Sequence, residues 1–452
     1  MLRLIISAIL SIHASVILEA EDRPNFLLIL TDDLGYGDTS VYGADDLSTP
    51  AIDQLAREGM VFTSMRANCT VCSPTRAAML TGRYADRVGV PGVIRTKIGN
   101  SWGYFDPSVP TLANELNAVG YHTAIIGKWH LGLETPNTPN ERGFDFFHGF
   151  LGDMMDSYTT HLRRGFNYMR RNEEVIEPEG HATELFSQWA VDYIHERADK
   201  ENEPFFLYLA YNAPHFPIEP PAEWLERVQQ RAPDLDEKRA LNVAFIEHMD
   251  HYIGEVLQAL EDSGLAENTV VVFTSDNGGA LWYAQRNLPW RGGKQSHYDG
   301  GLKIPFILRW PEQVPAGSQS EYEGLTFDVF PTFLELAGAQ LSSELDAVDL
   351  SPLLKGREMP SGRSLYFVRR EGGIDFGGMA YHAIIRDGWK LMRNNPFSAL
   401  ELYHLAEDPF EENNLATEEP ARVRQMQRDL MAHIQRGGAT TWQAPASKSN
   451  KR

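Results

Sequence analysis

The chain of 452 residues is 42% hydrophobic, enough for a large core, and carries a formal charge of −21 from 41 Lys and Arg against 62 Asp and Glu. A balance this acidic argues against a protein that coats nucleic acid or an anionic membrane, and it leaves an anionic ligand only a local basic site to bind. With only two cysteines, Cys69 and Cys72, there is no disulfide framework, and the fold must rest on packing.

In chain order, residues 1–20 read as a signal peptide. Arg3 precedes an apolar stretch over 4–18 that is shorter than the roughly 20 residues a membrane-spanning helix needs. Export to the periplasm or outside the cell follows, with no stable membrane insertion. The apolar run 25–30 suits a strand buried on both faces, and the acidic turn Thr31-Asp-Asp-Leu-Gly35 comes directly after it. Similar runs recur at 122–127, 205–211, 269–275 and 302–309. Segments with helical spacing lie between them at 51–58, 110–118, 182–198, 235–260 and 327–337. This alternation predicts a mostly parallel α/β sheet in a domain spanning 21–360. Ligands of such sheets gather beyond the carboxyl ends of the strands, and four runs are followed by polar residues. These are Asp32 and Asp33, Lys128 and His130, His215, and Asp276 with Asn277. From residue 364 the texture changes to strand-like pieces at 364–369, 380–386, 389–393 and 401–404 and a helical stretch at 419–436. A small antiparallel sheet with a terminal helix is expected over 361–437, followed by a loose polar tail, 438–452.

The densest motif is Cys72-Ser-Pro-Thr-Arg76, followed by Ala77-Ala-Met-Leu-Thr-Gly-Arg83. Pro74 suits the first turn of a helix, which puts Cys72 at a helix N-terminus, where backbone N–H groups favour negative charge. Arg76 lies one turn further along the same face. Cys69 and Cys72 also spell Cys-x-x-Cys, a pattern of redox pairs and of half zinc sites, but no second pair exists to complete a zinc site. Between residues 149 and 171, His161, Arg163 and Arg164 stand among further charges. They are candidates to bind the anionic groups of a ligand, against the plainer reading of solvated surface charge.

Cys-x-Pro-x-Arg followed by Ala-Ala-x-Leu-Thr-Gly-Arg resembles the signature of the formylglycine-dependent (type I) sulfatases. The likeness extends over Asp32-Asp-Leu-Gly-Tyr-Gly-Asp38, Gly127-Lys-Trp-His-Leu-Gly132, Pro214-His215, Thr274-Ser-Asp-Asn-Gly-Gly279, Gly293-Lys294 and Tyr298-Asp-Gly-Gly301. The resemblance implies an alkaline phosphatase-like fold, in which a large mostly parallel or mixed sheet is flanked by helices and a smaller C-terminal antiparallel sheet carries a helix. It also implies oxidation of Cys72 to formylglycine by a formylglycine-generating enzyme. The implied calcium site is built from Asp32, Asp33, Asp276, Asn277 and the modified Cys72, and such hard oxygen donors suit that ion. Arg76, Lys128 and Lys294 match the sulfate-holding cations of the family. His130 and His215 match its two proton-transfer histidines, and Asp276 helps to deprotonate the nucleophile. The implied substrates are aryl sulfates or sulfated carbohydrates, small or polymeric. Two rivals stay open at this point: a formylglycine-dependent phosphonate or phosphodiester hydrolase, and a non-catalytic sulfated-glycan binding protein with Cys72 unmodified.

Overall fold

The computed structural model describes residues 23–200, 203–340, 344–371 and 380–445. The expected signal peptide, 1–20, and the end of the expected tail, 446–452, lie outside the described residues.

Sixteen strands are described: β1 (Asn25–Thr31), β2 (Met60–Phe62), β3 (His122–Lys128), β4 (Phe146–Phe150), β5 (Leu162–Arg163), β6 (Phe166–Asn167), β7 (Met169–Arg171), β8 (Glu174–Val175), β9 (Phe205–Ala210), β10 (Thr269–Ser275), β11 (Phe306–Arg309), β12 (Ser318–Ser320), β13 (Leu365–Arg370), β14 (Ala380–Arg386), β15 (Trp389–Arg393) and β16 (Glu401–His404). Ten of them form one sheet in the order β12-β2-β11-β10-β1-β9-β3-β4-β7-β8. Its centre, β10-β1-β9-β3-β4, is parallel throughout. Towards the edges β11 runs antiparallel to β10, and β7 antiparallel to β4. The sheet is therefore mixed, with a parallel core.

Strand β1 shows why the apolar run reads as doubly buried. Phe26, Leu28 and Leu30 join one core cluster, and Leu27 and Ile29 join the other. Successive side chains point to opposite faces, so a strand covered on both sides must be apolar at every position. Helices α1 (Pro50–Glu58), α2 (Cys72–Met79), α3 (Leu112–Ala118), α4 (Ala182–Ala198), α5 (Ala222–Arg231) and α6 (Glu237–Asp262) are followed by the short α7 (Asp299–Leu302), then α8 (Val329–Leu336), α9 (Ser351–Leu354) and α10 (Pro420–Gly437). Residues of α1, α4 and α6 such as Ile52, Phe186 and Ile253 pack on one face, and residues of α2, α3 and α8 such as Met79, Leu112 and Phe333 on the other. Side chains cap several helix starts. Asp236 accepts from the amides of Lys238 and Arg239 at α6, and Thr111 with Asn114 forms a capping box at α3. No helix among the described residues is long and apolar enough to cross a membrane.

The run expected as one strand over 302–309 divides. Leu302 ends α7, and β11 starts only at Phe306, after Pro305, which has no N–H to give a ladder. The strands β13-β14-β15-β16 form the expected small antiparallel sheet, with α10 packing Met426 and Leu430 against Ile384, Leu391 and Leu402. A buried charge network ties this sheet to the large domain. Asp299 of α7 takes Arg66 at 2.8 Å and Lys390 of β15 at 2.8 Å, and Lys390 also meets Glu411 at 2.8 Å. The Asp299 amide donates to Glu411. Leaving any one of these charges unpaired in the interior costs about 3–5 kcal/mol.

Candidate active site

The groups singled out at four strand ends meet beyond the carboxyl edge of the parallel core. Thr31 and Ser275 are in register on neighbouring β1 and β10, which places Asp32 beside Asp276. The Asp276 amide donates to Thr31 O at 3.1 Å, and the Asp32 amide to Ala213 O at 3.1 Å, in the segment that leads to His215. Asp33 and His130 both sit at positive φ, 68° and 60°, so each chain turns sharply as it leaves its strand.

Cys72 is the first residue of α2, all eight residues of which are buried. Thr75 Oγ1 accepts from the Cys69 amide at 3.0 Å and donates to Cys69 O at 3.1 Å, fixing the turn in front of the helix. Cys69 is fully buried, with its thiol directed at Val368 O, and both cysteines are free. Burial, then the Asp32 carboxylate, pushes the Cys72 thiol well above its ordinary pKa, and a protonated thiol is a poor nucleophile.

Three cations and three carboxylates interlock around it, all of them buried. Arg76 donates Nε at 3.0 Å and an Nη at 2.8 Å to Asp276 Oδ2. Lys128 Nζ lies 2.5 Å from Asp32 Oδ2, and Lys294 Nζ lies 2.6 Å from Asp33 Oδ2 and 3.9 Å from Cys72 Sγ. Burial alone would raise the Asp32 carboxyl, but Lys128, His215, Arg76 and Lys294 together hold it well below the usual range. Burial and then Asp32 push Asp276 up to about 7, against the opposing pull of Arg76.

Two oxygens in this cluster, Asp32 Oδ1 and Asn277 Oδ1, are buried and accept no hydrogen bond. Asn277 donates its Nδ2 to Asp33 Oδ1 at 2.8 Å, so its orphaned oxygen is held in place. Orphaned hard acceptors beside carboxylates fit a divalent cation such as calcium. The donor atoms of Asp32, Asp33, Cys72 and His215 come within 4.8 Å of one another. Asp276 lies in the same cluster, with Oδ1 taking the Asp33 amide and Oδ2 taking Arg76. The formal charges of the three carboxylates and three cations cancel, and a divalent cation would give the cluster a net positive charge toward an anion.

The histidines are fixed in different ways. His130 Nε2 donates to Ile94 O at 2.7 Å, which leaves Nδ1 buried without a hydrogen-bond partner. Burial, then Lys128 and Arg76, pushes its pKa well down, so the ring is neutral and Nδ1 presents a lone pair. His215 donates Nδ1 to Phe216 O at 2.6 Å and turns Nε2 toward Asp33 Oδ2, 3.6 Å away.

A cavity of about 440 Å³ opens over this cluster. Its lining includes Cys72, His130, His215 and Lys294, together with Arg163 and Arg164. His161 is not part of that lining; it is buried and bonded to Gly180 O at 3.0 Å. Among the lining residues that carried no signal in the sequence are Arg95, Trp282 and Arg369. Arg369 comes from β13 of the small sheet. Its guanidinium and that of Arg95 share Glu371, at 2.7 and 3.2 Å.

A buried nucleophile position at a helix N-terminus, a carboxylate cluster suited to a metal and cations around both define a hydrolase of anionic esters. Residues 24–339 match the family model described as Sulfatase, and residues 292–437 match that described as N-sulphoglucosamine sulphohydrolase, C-terminal. The chain belongs to the sulfatase family and is a sulfuric ester hydrolase. It is 35% identical to N-acetylgalactosamine-6-sulfatase of Sus scrofa over 366 residues, covering 75% of this chain and 67% of that one. It is 31% identical to arylsulfatase G of Homo sapiens over 406 residues, covering 79% and 74%. Among solved structures it resembles Ps i-CgsB in complex with k-i-k-neocarrahexaose, with a TM-score of 0.85, 29% identity and coverage of 94% of this chain and 96% of that one. Members of the family generally use calcium and formylglycine.

Proposed function

We propose that this chain removes sulfate from sulfated carbohydrates, with Cys72 oxidised to formylglycine by a formylglycine-generating enzyme and a calcium ion held by Asp32, Asp33, Asp276 and Asn277. The observation that carries the substrate class is the cavity, sized for a sugar and lined by four arginines together with Trp282, which is 48% exposed and offers a flat apolar face. The likeness to N-acetylgalactosamine-6-sulfatase and to the solved structure in complex with k-i-k-neocarrahexaose supports the same class.

Formylglycine at position 72 would supply a hydroxyl nucleophile, and an ion held by Asp32, Asp33, Asp276 and Asn277 would supply fixed positive charge. The rest is done by the chain's own side chains. Arg76, Lys128 and Lys294 stabilise charge as it grows on sulfate and leaving oxygens, from positions already set by their carboxylate partners. Asp276 takes a proton from the attacking hydroxyl. His215 or Lys294 delivers a proton to the departing alcohol, and His130 Nδ1 accepts one in the step that frees sulfate. Export to the periplasm or outside the cell, and a division into units 21–360 and 361–437, complete the proposal. The division is supported by the separation of the two sheets, whose strands end at 320 and begin again at 365.

A phosphodiester carries the same single charge as a sulfate monoester, so the cations alone do not separate them. Turnover of 4-nitrophenyl sulfate, of a sulfated galactosamine and of bis(4-nitrophenyl) phosphate by one preparation tests the reading. Sulfate release should exceed phosphodiester cleavage, and the reverse order would overturn it.

A further inference from the structure

The four arginines around the cavity are not equivalent. Arg163 is gripped by Asp153 at 3.0 Å and Asp156 at 2.8 Å, and Arg95 and Arg369 share Glu371. Arg164 alone is exposed, and its guanidinium makes no hydrogen bond or close ion pair among the described residues, being attracted by the Asp156 carboxylate only through space.

Its position in the chain is unusual as well. Arg163 pairs with Phe166 across the β5–β6 hairpin, so Arg164 and Gly165 form a two-residue loop. Their φ angles are 52° and 80°. Two positive φ values are the pattern of a type I′ turn, which favours Asn, Asp or Gly at its first central position. An arginine there adopts a sparsely populated conformation that costs on the order of 1 kcal/mol or more. The backbone is held to it from outside, because the Arg164 amide donates to Asp156, the carboxylate that also fixes Arg163. The hairpin thus spends its anchoring contacts on Arg163 and the loop backbone and leaves the Arg164 side chain unpaired at the cavity.

We infer that Arg164 is the recognition cation for a second anionic group on the sugar, a sulfate or a uronate carboxylate other than the ester being cleaved, while Arg163 serves as the anchor of the loop. The inference rests on the sulfated-carbohydrate reading and divides between the two arginines a role that the sequence alone gives to both.

The test uses calorimetric binding of three hexasaccharides: one with a single sulfate per disaccharide on a neutral backbone, one with two, and one with a single sulfate plus a uronate. Turnover of 4-nitrophenyl sulfate is followed in the same preparations. The wild-type protein should bind one or both of the more charged hexasaccharides more tightly than the singly sulfated one, and which of them identifies the second anion. Arg164→Asn, which supplies the residue the turn prefers, should shrink that preference about two- to five-fold, the range for an exposed charged contact. Its melting temperature should be equal or higher, and Arg164→Lys should keep much of the preference. An unchanged preference in Arg164→Asn, or a loss shared equally by all three hexasaccharides and the aryl sulfate, would overturn the inference. Failure of the wild-type protein to bind any hexasaccharide while turning over 4-nitrophenyl sulfate would instead sink the carbohydrate reading beneath it.

Discussion

Lys294 holds its ammonium 3.9 Å from the sulfur of Cys72 while its other contact, Asp33 Oδ2, lies at 2.6 Å. One cation therefore touches both the nucleophile position and the carboxylate cluster. Removing a preorganised charge of this kind costs about 10²- to 10³-fold in kcat. Lys294→Ala is expected to lose that much, with a smaller change in KM, and steady-state sulfate release measures it. A rise in KM alone would make Lys294 a binding residue only.

Cys72→Ala should abolish turnover, whereas Cys69→Ala should keep most of it. Cys69 packs as a small buried group, and its truncation leaves only a minor void at the cost of about 1 kcal/mol. Mass spectrometry of the peptide containing Cys72 should show the aldehyde in wild-type protein. Equal loss in the two variants would restore the redox-pair reading.

The free Nδ1 of His130 makes it the candidate base for the second half of the reaction. His130→Ala should therefore release alcohol in a single fast burst and then turn over roughly 10²- to 10⁴-fold more slowly. Stopped-flow with 4-nitrophenyl sulfate distinguishes this from a uniform slowing without a burst, which would place His130 in the first step.

Calcium should raise the melting temperature of the inactive Cys72→Ala protein after chelation, because an ion that satisfies Asp32 Oδ1 and Asn277 Oδ1 binds only the folded chain. At a concentration 100-fold above its dissociation constant the gain is about 2.7 kcal/mol. Asn277→Ala should weaken the effect. Full zinc occupancy by elemental analysis, with no response to calcium, would contradict the oxygen-donor site.

His181 gives the pH dependence a sign. Its Nε2 donates to Glu219 O at 3.0 Å and its Nδ1 accepts from the Thr183 amide as the cap of α4, so the folded ring must be neutral. Burial pushes its pKa down from 6.5 to about 4. The unfolded chain therefore binds the proton first as pH falls, and stability is lost between about 6.5 and 4, by on the order of 2–3 kcal/mol. His181→Asn keeps a cap without a titrating ring and should flatten the urea midpoint across that window. An unchanged slope would assign the loss to other histidines such as the half-buried His148, also held down at about 4.

Much of this was legible in the chain itself. Strands with both faces buried announce themselves as unbroken apolar runs, and the carboxyl ends of β1, β3 and β10 deliver Asp32, Lys128 and Asp276 directly after those runs. The short pieces were not legible. Strands β2 and β12 are three residues long, too short for any periodicity to mark them. Arg95 and Arg369 lie 274 positions apart in a chain with 41 Lys and Arg. Only the docking of the small sheet brings them to one carboxylate, Glu371. His161 misled for a related reason: nothing in a charged segment tells an inward imidazole from one that faces a cavity.

Cys72 is 3% exposed, and what covers it arrives late. Asp276 and Lys294 follow it by more than two hundred positions, and Arg369, which also lines the cavity, by almost three hundred. A nascent chain thus displays the thiol openly for as long as those segments are missing, and shuts it away once they have come down. If Cys72 is converted as proposed, the modifying enzyme would have to reach the side chain before those segments close over it, because a thiol this deeply buried offers a second protein nothing to grip.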